Sequence, residues 1–295
     1  MASAGSSAAF AVALGLSVLV AVLLVATVAV ELAEDRVPVP APFLVLGIFK
    51  DEGHIIEEWL NHYAGQGATR VVLIDNGSTD GYAAKVAPYV DTGFVVVVKD
   101  DTKHAQVDLY NKYAAPFLGQ VDWVVVVDLD EFAFGTKAPL GVALAREPPA
   151  TGLITMEWVM FGSSHLVSQP PSVLDSFTLR VRYPCSIKPF QNTKYIVRTR
   201  ALAASGLGIH TATLDKRAGW KEVSYGADRT EESLPQEPFR VNHYPIQSLS
   251  WFKRVKMTRG SANSPKHDNV RTMDYFRFYD RNEVPDTTIL TLPEC

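Results

Sequence analysis

Four consecutive valines, Val124 to Val127, run straight into Asp128-Leu129-Asp130-Glu131-Phe132. An unbroken β-branched run reads as a buried strand, and residues two apart in extended chain face the same side. Asp128 and Asp130 are therefore expected to present both carboxylates together at a strand's end. Ligands of α/β sheets bind in the crevice beyond such ends. Mg²⁺ or Mn²⁺ held there by one or two carboxylates keeps positions free for substrate phosphates, so the pair points to chemistry on a phosphorylated donor.

The upstream sequence alternates. Phe43 to Phe49 reads as a first buried strand, followed by Lys50-Asp51-Glu52. Ile56, Trp59, Leu60 and Tyr63 then recur at helical spacing, with Gly65 and Gly67 as stop signals. Arg70 to Ile74 is a second strand, ending on the polar turn Asp75-Asn76-Gly77-Ser78-Thr79-Asp80-Gly81. A helix over Tyr82 to Tyr89, a strand over Phe94 to Val98 and a helix over Gln106 to Phe117 lead to the valine run. Such alternation predicts an α/β, Rossmann-like fold with a mainly parallel sheet, right-handed crossovers and helices on both faces. Lys50, Asp75 and Asp128 would then lie along one rim.

Taken in order, Lys50-Asp51-Glu52 with Glu58-Trp59-Leu60, Ile74 to Gly81, and Asp128 to Phe132 resemble the successive motifs of GT-A glycosyltransferases, in the family 2-like group that shades into family 92. The similarity extends to Trp158 with Phe161 to His165, to Lys194-Tyr195-Ile196-Val197-Arg198, and to Asn242-His243-Tyr244 with Ser248 and Lys256 to Gly260. It departs at Asp51, where the family usually has Asn. The resemblance implies an inverting, metal-dependent hexosyltransferase. Its donor would be a nucleotide-diphosphate sugar, a UDP-sugar with UDP-galactose first, and its acceptor a glycan or glycoconjugate hydroxyl.

Roles follow from that likeness. Lys50, Glu52, Asp75 and Asn76 would contact the donor, with Gln106 and Asn111 nearby on the helix before the metal strand. Asp128 and Asp130 would hold Mn²⁺ or Mg²⁺, which as a Lewis acid stabilises charge growing on the leaving diphosphate. A late histidine would complete the set, His210 or His243, with His243 preferred because it follows a strand-like segment and precedes a basic helix. On that helix Lys256 and Arg259 can share a face and reach the diphosphate. An inverting reaction also needs a carboxylate base. Glu157 ranks ahead of Glu131 and Asp175.

Domain organisation is read as a tail (residues 1–7), a transmembrane signal anchor (8–30), a Pro-rich stalk (31–42), the GT-A domain (43–262) and a C-terminal extension (263–295). The anchor is uncharged from Ala8 to Val30 and long enough to span a bilayer. It lacks the basic n-region and small-x-small cleavage site of a secretory leader. Golgi residence with a lumenal domain is implied only by the resemblance. A net charge of -4 over 295 residues gives no reason to expect nucleic acid. Cys185 and Cys295 are too few for a disulfide framework or metal site and read as two free thiols.

Two other classes fit parts of the pattern. The strand ending in Asp-x-Asp also resembles haloacid-dehalogenase-type phosphatases, with Asp128 as nucleophile and Asp130 as acid/base, although Phe132 stands where that motif has Thr or Val. A membrane-tethered glycan- or nucleotide-binding protein that lost catalysis would keep the fold.

Overall fold

The computed structural model describes residues 38–185, 187, 191–258 and 271–291. The chain divides into two units, Met1–Val39 and Pro40–Cys295. The expected anchor, Arg259 and Cys295 lie outside the described residues. Among the described residues no helix is long and apolar enough to cross a membrane.

The second unit begins with the predicted alternation: β1 (Phe43–Phe49), α1 (Ile56–Gly65), β2 (Arg70–Asp75), α2 (Tyr82–Asp91), β3 (Val95–Lys99), α3 (Gln106–Ala114) and β4 (Trp123–Val126). Strands 1 to 4 pair in parallel in the order β3-β2-β1-β4. All seven residues of β1 are buried, because the sheet is covered on both sides. Phe43 and Val45 join the core under α1 and α2, whereas Leu44, Leu46 and Ile48 join a second core under α3. Alternation along one strand thus divides the interior into two layers.

Past β4 the sheet, mostly parallel overall as expected, takes on antiparallel members. This half of the chain comprises β5 (Glu131–Gly135), α4 (Leu140–Ala145), β6 (Thr151–Met160), β7 (Leu179–Arg180), β8 (Thr193–Arg198), β9 (Leu202–Leu207), β10 (Ala212–Leu214), β11 (Lys221–Tyr225) and β12 (Phe239–His243). Strand β8 runs antiparallel to both β4 and β6. The first part of β6 pairs with β11 and its end with β12, both in parallel. Finally, β12 pairs antiparallel with β5, bringing the chain back beside the Asp128 segment.

The last elements are α5 (Leu249–Trp251), which widens into a π turn over Phe252–Lys256, then α6 (Met273–Tyr279) and β13 (Val284–Pro285). Ala41, within the stretch read as a stalk, is buried and its N–H donates to the Gly141 carbonyl at 2.8 Å. The described part of the C-terminal extension is built into the fold: β13 pairs with β7, and Phe276 packs on Phe252 at 5.1 Å between ring centroids. Asp286 there accepts from Arg180 Nε at 2.8 Å and Arg240 Nη2 at 2.9 Å.

Candidate active site

The two aspartates do not stand on a strand. Strand β4 stops at Val126, and the Glu131 N–H donates to the Asp128 carbonyl at 3.1 Å, closing a turn between β4 and β5. Helix α1 holds that turn from below. Trp59 Nε1 lies 3.1 Å from the Asp128 carbonyl and 3.0 Å from that of Glu131, and the Tyr63 hydroxyl donates to the same Glu131 carbonyl at 3.2 Å. The apolar periodicity that makes α1 a helix therefore also positions two donors under the acidic turn. The Glu131 side chain bonds back to the Asp128 N–H at 2.8 Å.

The turn's carboxylates engage two different lysines. Lys194, fully buried on β8, places Nζ 2.9 Å from Asp128 Oδ2 and 3.3 Å from Glu131 Oε2. Lys256, at the end of the π turn, lies 2.7 Å from Asp130 Oδ2 and 3.7 Å from Glu52 Oε1. His243 Nε2 is 3.6 Å from Asp130 Oδ1. His243 arrives here by register: it sits opposite Glu131 in the antiparallel β5–β12 pair, so both side chains emerge on one face. The Trp158 ring, from the end of β6, covers His243 at 4.2 Å.

The charges follow from burial and these partners. Burial alone would raise the pKa of Asp130, but Lys256 and His243 overrule it and hold the group well below the usual carboxylate range. Burial pushes Glu131 up to about 8, against the pull of Lys194. Burial would lower Lys194, yet Asp128 and Glu131 outweigh it and the ammonium is retained. Burial lowers His243 despite Asp130, which favours the neutral ring that a metal requires.

Ligand atoms of Asp130, Glu131 and His243 all lie within 4.8 Å of one another. Among the described residues, buried Glu131 Oε1 and His243 Nδ1 have no hydrogen-bond partner. Two carboxylates and an imidazole with unfilled acceptor capacity fit a divalent cation of the Mn²⁺ type. Of the expected set Asp128, Asp130 and His243, the last two fall in this group together with Glu131, while the Asp128 carboxylate, 34% exposed, lies beside it on Lys194, which also contacts Glu131.

Other expected residues divide into rim and support. Lys50 is exposed at the end of β1. Asp75 is on the rim, but its carboxylate shapes the loop, accepting from Ser78 N–H at 2.7 Å and the Tyr82 hydroxyl at 2.8 Å. Asn76 Nδ2 donates to the Asp100 carbonyl at 2.9 Å and braces β2 against the segment after β3. Asp51 adopts φ +52°, a conformation Asn and Asp tolerate, and accepts from Thr79 N–H at 2.6 Å. Its role is therefore one that Asn can also fill. Glu52 is buried against Lys256 rather than presented on the rim.

The remaining expected residues have their contacts elsewhere in the fold. Asn111 anchors β9, donating to the Leu207 carbonyl at 2.8 Å and accepting the Leu207 N–H at 3.0 Å. Gln106 donates to the Tyr110 hydroxyl within the core. Strand alternation separates Glu157 from the corner: Trp158 faces His243, while the charges acting on Glu157 are Arg229, Glu237 and Asp228. Asp175 is exposed beside Ser172, and His210 Nδ1 bonds the Thr193 carbonyl at 3.0 Å.

Sequence reading assigned no role to Lys194, Trp59 or Arg271. Lys194, directly before the apolar run Tyr195-Ile196-Val197, was a usable signal, because a lysine buried in such a strand needs a carboxylate partner. Arg271 stacks over Tyr275 at 5.4 Å and feels the charges of Asp130 and Glu52. Nothing local in the sequence marked it.

No curated protein matches the chain. Among solved structures, S. aureus TarS 1-349 in complex with UDP-GlcNAc aligns at 16% identity over 71% of this chain and 60% of that one, with a TM-score of 0.39. Glucosyl-3-phosphoglycerate synthase from Mycobacterium tuberculosis, in complex with Mn2+ and UDP-Glc, aligns at 14% identity over 66% and 74%, with a TM-score of 0.34. In another TarS 1-349 structure the match spans about half of that chain, 48%, at 20% identity, 54% coverage of this chain and a TM-score of 0.34. The sequence model of glycosyltransferase family 92 matches residues 46–277, a span that contains the acidic turn, both lysines, His243 and Arg271, and the chain belongs to that family.

Proposed function

We propose that this glycosyltransferase is metal-dependent and moves the sugar of a nucleotide-diphosphate donor, a UDP-sugar with UDP-galactose first, onto a glycan or glycoconjugate hydroxyl, with the nucleoside diphosphate as leaving group. The observation that carries the reading is the Asp130–Glu131–His243 group at the sheet's rim, with two buried ligand atoms left without partners. A cation bound there would neutralise charge on the leaving diphosphate. Lys256 and Arg271 add positive charge near Asp130 and Glu52, and Lys194 keeps Asp128 oriented from beneath. Lys50 and the Asp75 loop supply the rim for base and ribose. Trp158 and His243 form a tilted ring pair that suits the apolar face of a sugar.

The phosphatase reading fares worse, because Asp128 is tied to Lys194 and the family match points elsewhere. We also keep residues 8–30 as a single-pass anchor with the catalytic domain in the Golgi lumen, on the uncharged apolar stretch and the family likeness. Resistance of the full chain to alkaline carbonate extraction tests the anchor.

The activity is tested with the full chain in detergent against a panel of nucleotide-sugars, with and without Mn²⁺. Donor hydrolysis confined to UDP-sugars and abolished by chelation is the expected result. Turnover indifferent to chelation would remove the metal from the reading.

A further inference from the structure

Lys256, which the donor reading turns toward the diphosphate, is paired with the proposed metal-binding carboxylate instead. Lys256 Nζ sits 2.7 Å from Asp130 Oδ2 and 3.7 Å from Glu52 Oε1, with only 6% of its side chain exposed. Asp130 beneath it is 7% exposed. A cleft of about 550 Å³ lies nearby, lined by Asp51, His54, Asp80, Trp251 and Arg254, but it contains none of Asp130, Glu131, His243 or Lys256. Asp130 and Lys256 are both buried, and the ammonium lies directly on the carboxylate.

We propose that Lys256 is a built-in stand-in for the divalent cation: it neutralises Asp130 in the resting enzyme and exchanges for the metal when the donor's diphosphate draws the ammonium away. The inference rests on the metal-dependent reading above. Three features support an exchange rather than a permanent ion pair. Asp130 is in contact with one cation while belonging to a three-residue group able to hold another. A buried carboxylate stripped of its counter-charge is costly, so a resting enzyme without metal needs a substitute cation. The substitute is also mobile in kind: a lysine on a flexible stem at the end of a π turn, a geometry frequent at functional sites. Its second favourable surface is the Trp251 ring at 5.2 Å, so leaving Asp130 does not strand the charge.

Such competition lowers apparent metal affinity in proportion to the time Lys256 spends on Asp130. Occupancy of nine-tenths cuts it about tenfold, and a ligand that removes the lysine restores it. Uridine diphosphate would then tighten metal binding twice over, by bridging the ion and by withdrawing its competitor. Metal tightens nucleotide binding by the same factor.

The test is a Mn²⁺ titration of the full chain in detergent, followed by the paramagnetic signal of free Mn²⁺, with and without uridine diphosphate. Lys256→Met should bind Mn²⁺ alone about tenfold more tightly than wild type, and the nucleotide should enhance that binding about tenfold less. Lys256→Arg keeps the charge and should resemble wild type in Mn²⁺ alone. Lys256→Gln, which keeps a polar head, provides the same comparison should the Met variant not fold. Wild type that binds Mn²⁺ with nucleotide, beside neutral variants no tighter in Mn²⁺ alone, would overturn the exchange and leave the metal-dependent reading standing. Absence of Mn²⁺ binding in every variant, with or without nucleotide, would overturn both.

Discussion

Two clusters of buried charge face different fates in this molecule. Behind β7 and β12, Arg180 pairs with Glu231 and Asp286, Arg240 with Asp286, and Arg229 with Glu237, all at 2.7 to 2.9 Å. Arg180 and Arg229 bond through Nε and both Nη atoms; Arg240 Nε is the exception, buried with no partner. At the rim, by contrast, Glu131 Oε1, His243 Nδ1 and Trp158 Nε1 go unpartnered, and Asp130 is held by a lysine on a π turn. Buried charge costs several kcal/mol per ion unless satisfied. The first cluster meets that cost internally and locks the C-terminal segment to the core. The second leaves buried polar atoms without partners among the described residues, as expected of a site completed by a ligand.

The comparison breaks first if the two clusters respond alike. Asp286→Ala leaves Arg180 and Arg240 short of a partner and should cost about 3–5 kcal/mol of stability, read as a lowered denaturant midpoint. Turnover per folded molecule should change little. Loss of turnover without loss of stability would place Asp286 in the chemistry instead.

Asp130→Asn should do the reverse, lowering metal-dependent turnover by about 10²–10³-fold. A thermal melt with Mn²⁺ and uridine diphosphate titrated together provides the control: wild type gains stability by linkage and the variant does not. A variant still stabilised by the pair would remove Asp130 from the metal site. His243→Ala should show a weaker version of the same defect, about tenfold in metal affinity, and Asp128→Asn less still. Asp128→Asn matching Asp130→Asn would restore Asp128 as a ligand.

The smallest effect concerns the support beneath the rim. Burial pushes His62 from an ordinary 6.5 down to about 4, opposed by its hydrogen bond to the Ala133 carbonyl at 2.9 Å. Between those values the unfolded chain binds the proton and the folded one does not. Stability should therefore fall as pH drops from 6.5 toward 4 and be fully present above 6.5. His62→Gln should flatten that slope by about 1–2 kcal/mol, less than the full shift implies because the half-buried residue keeps contact with water. An unchanged slope between pH 4 and 7, compared by urea titration, would show that His62 titrates alike in both states.

Sequence alone determined the first half of the fold, because its information is local. The valine run, the helical spacing of Ile56, Trp59, Leu60 and Tyr63, and the polar loop after β2 each specify an element through contacts within a few residues. The acidic turn was equally legible as a place where chemistry resides. Which of its carboxylates faces a metal was not, since that depends on partners far along the chain. Lys194 is 66 residues from Asp128, and Lys256 is 126 from Asp130. His243 joins Glu131 only through the antiparallel register of β5 and β12, and Glu157 leaves the site only through strand alternation once Trp158 is fixed inward. Periodicity encodes which face of an element is apolar. Pairing across the sheet, which determines what a buried charge will meet, is settled by the whole chain's packing.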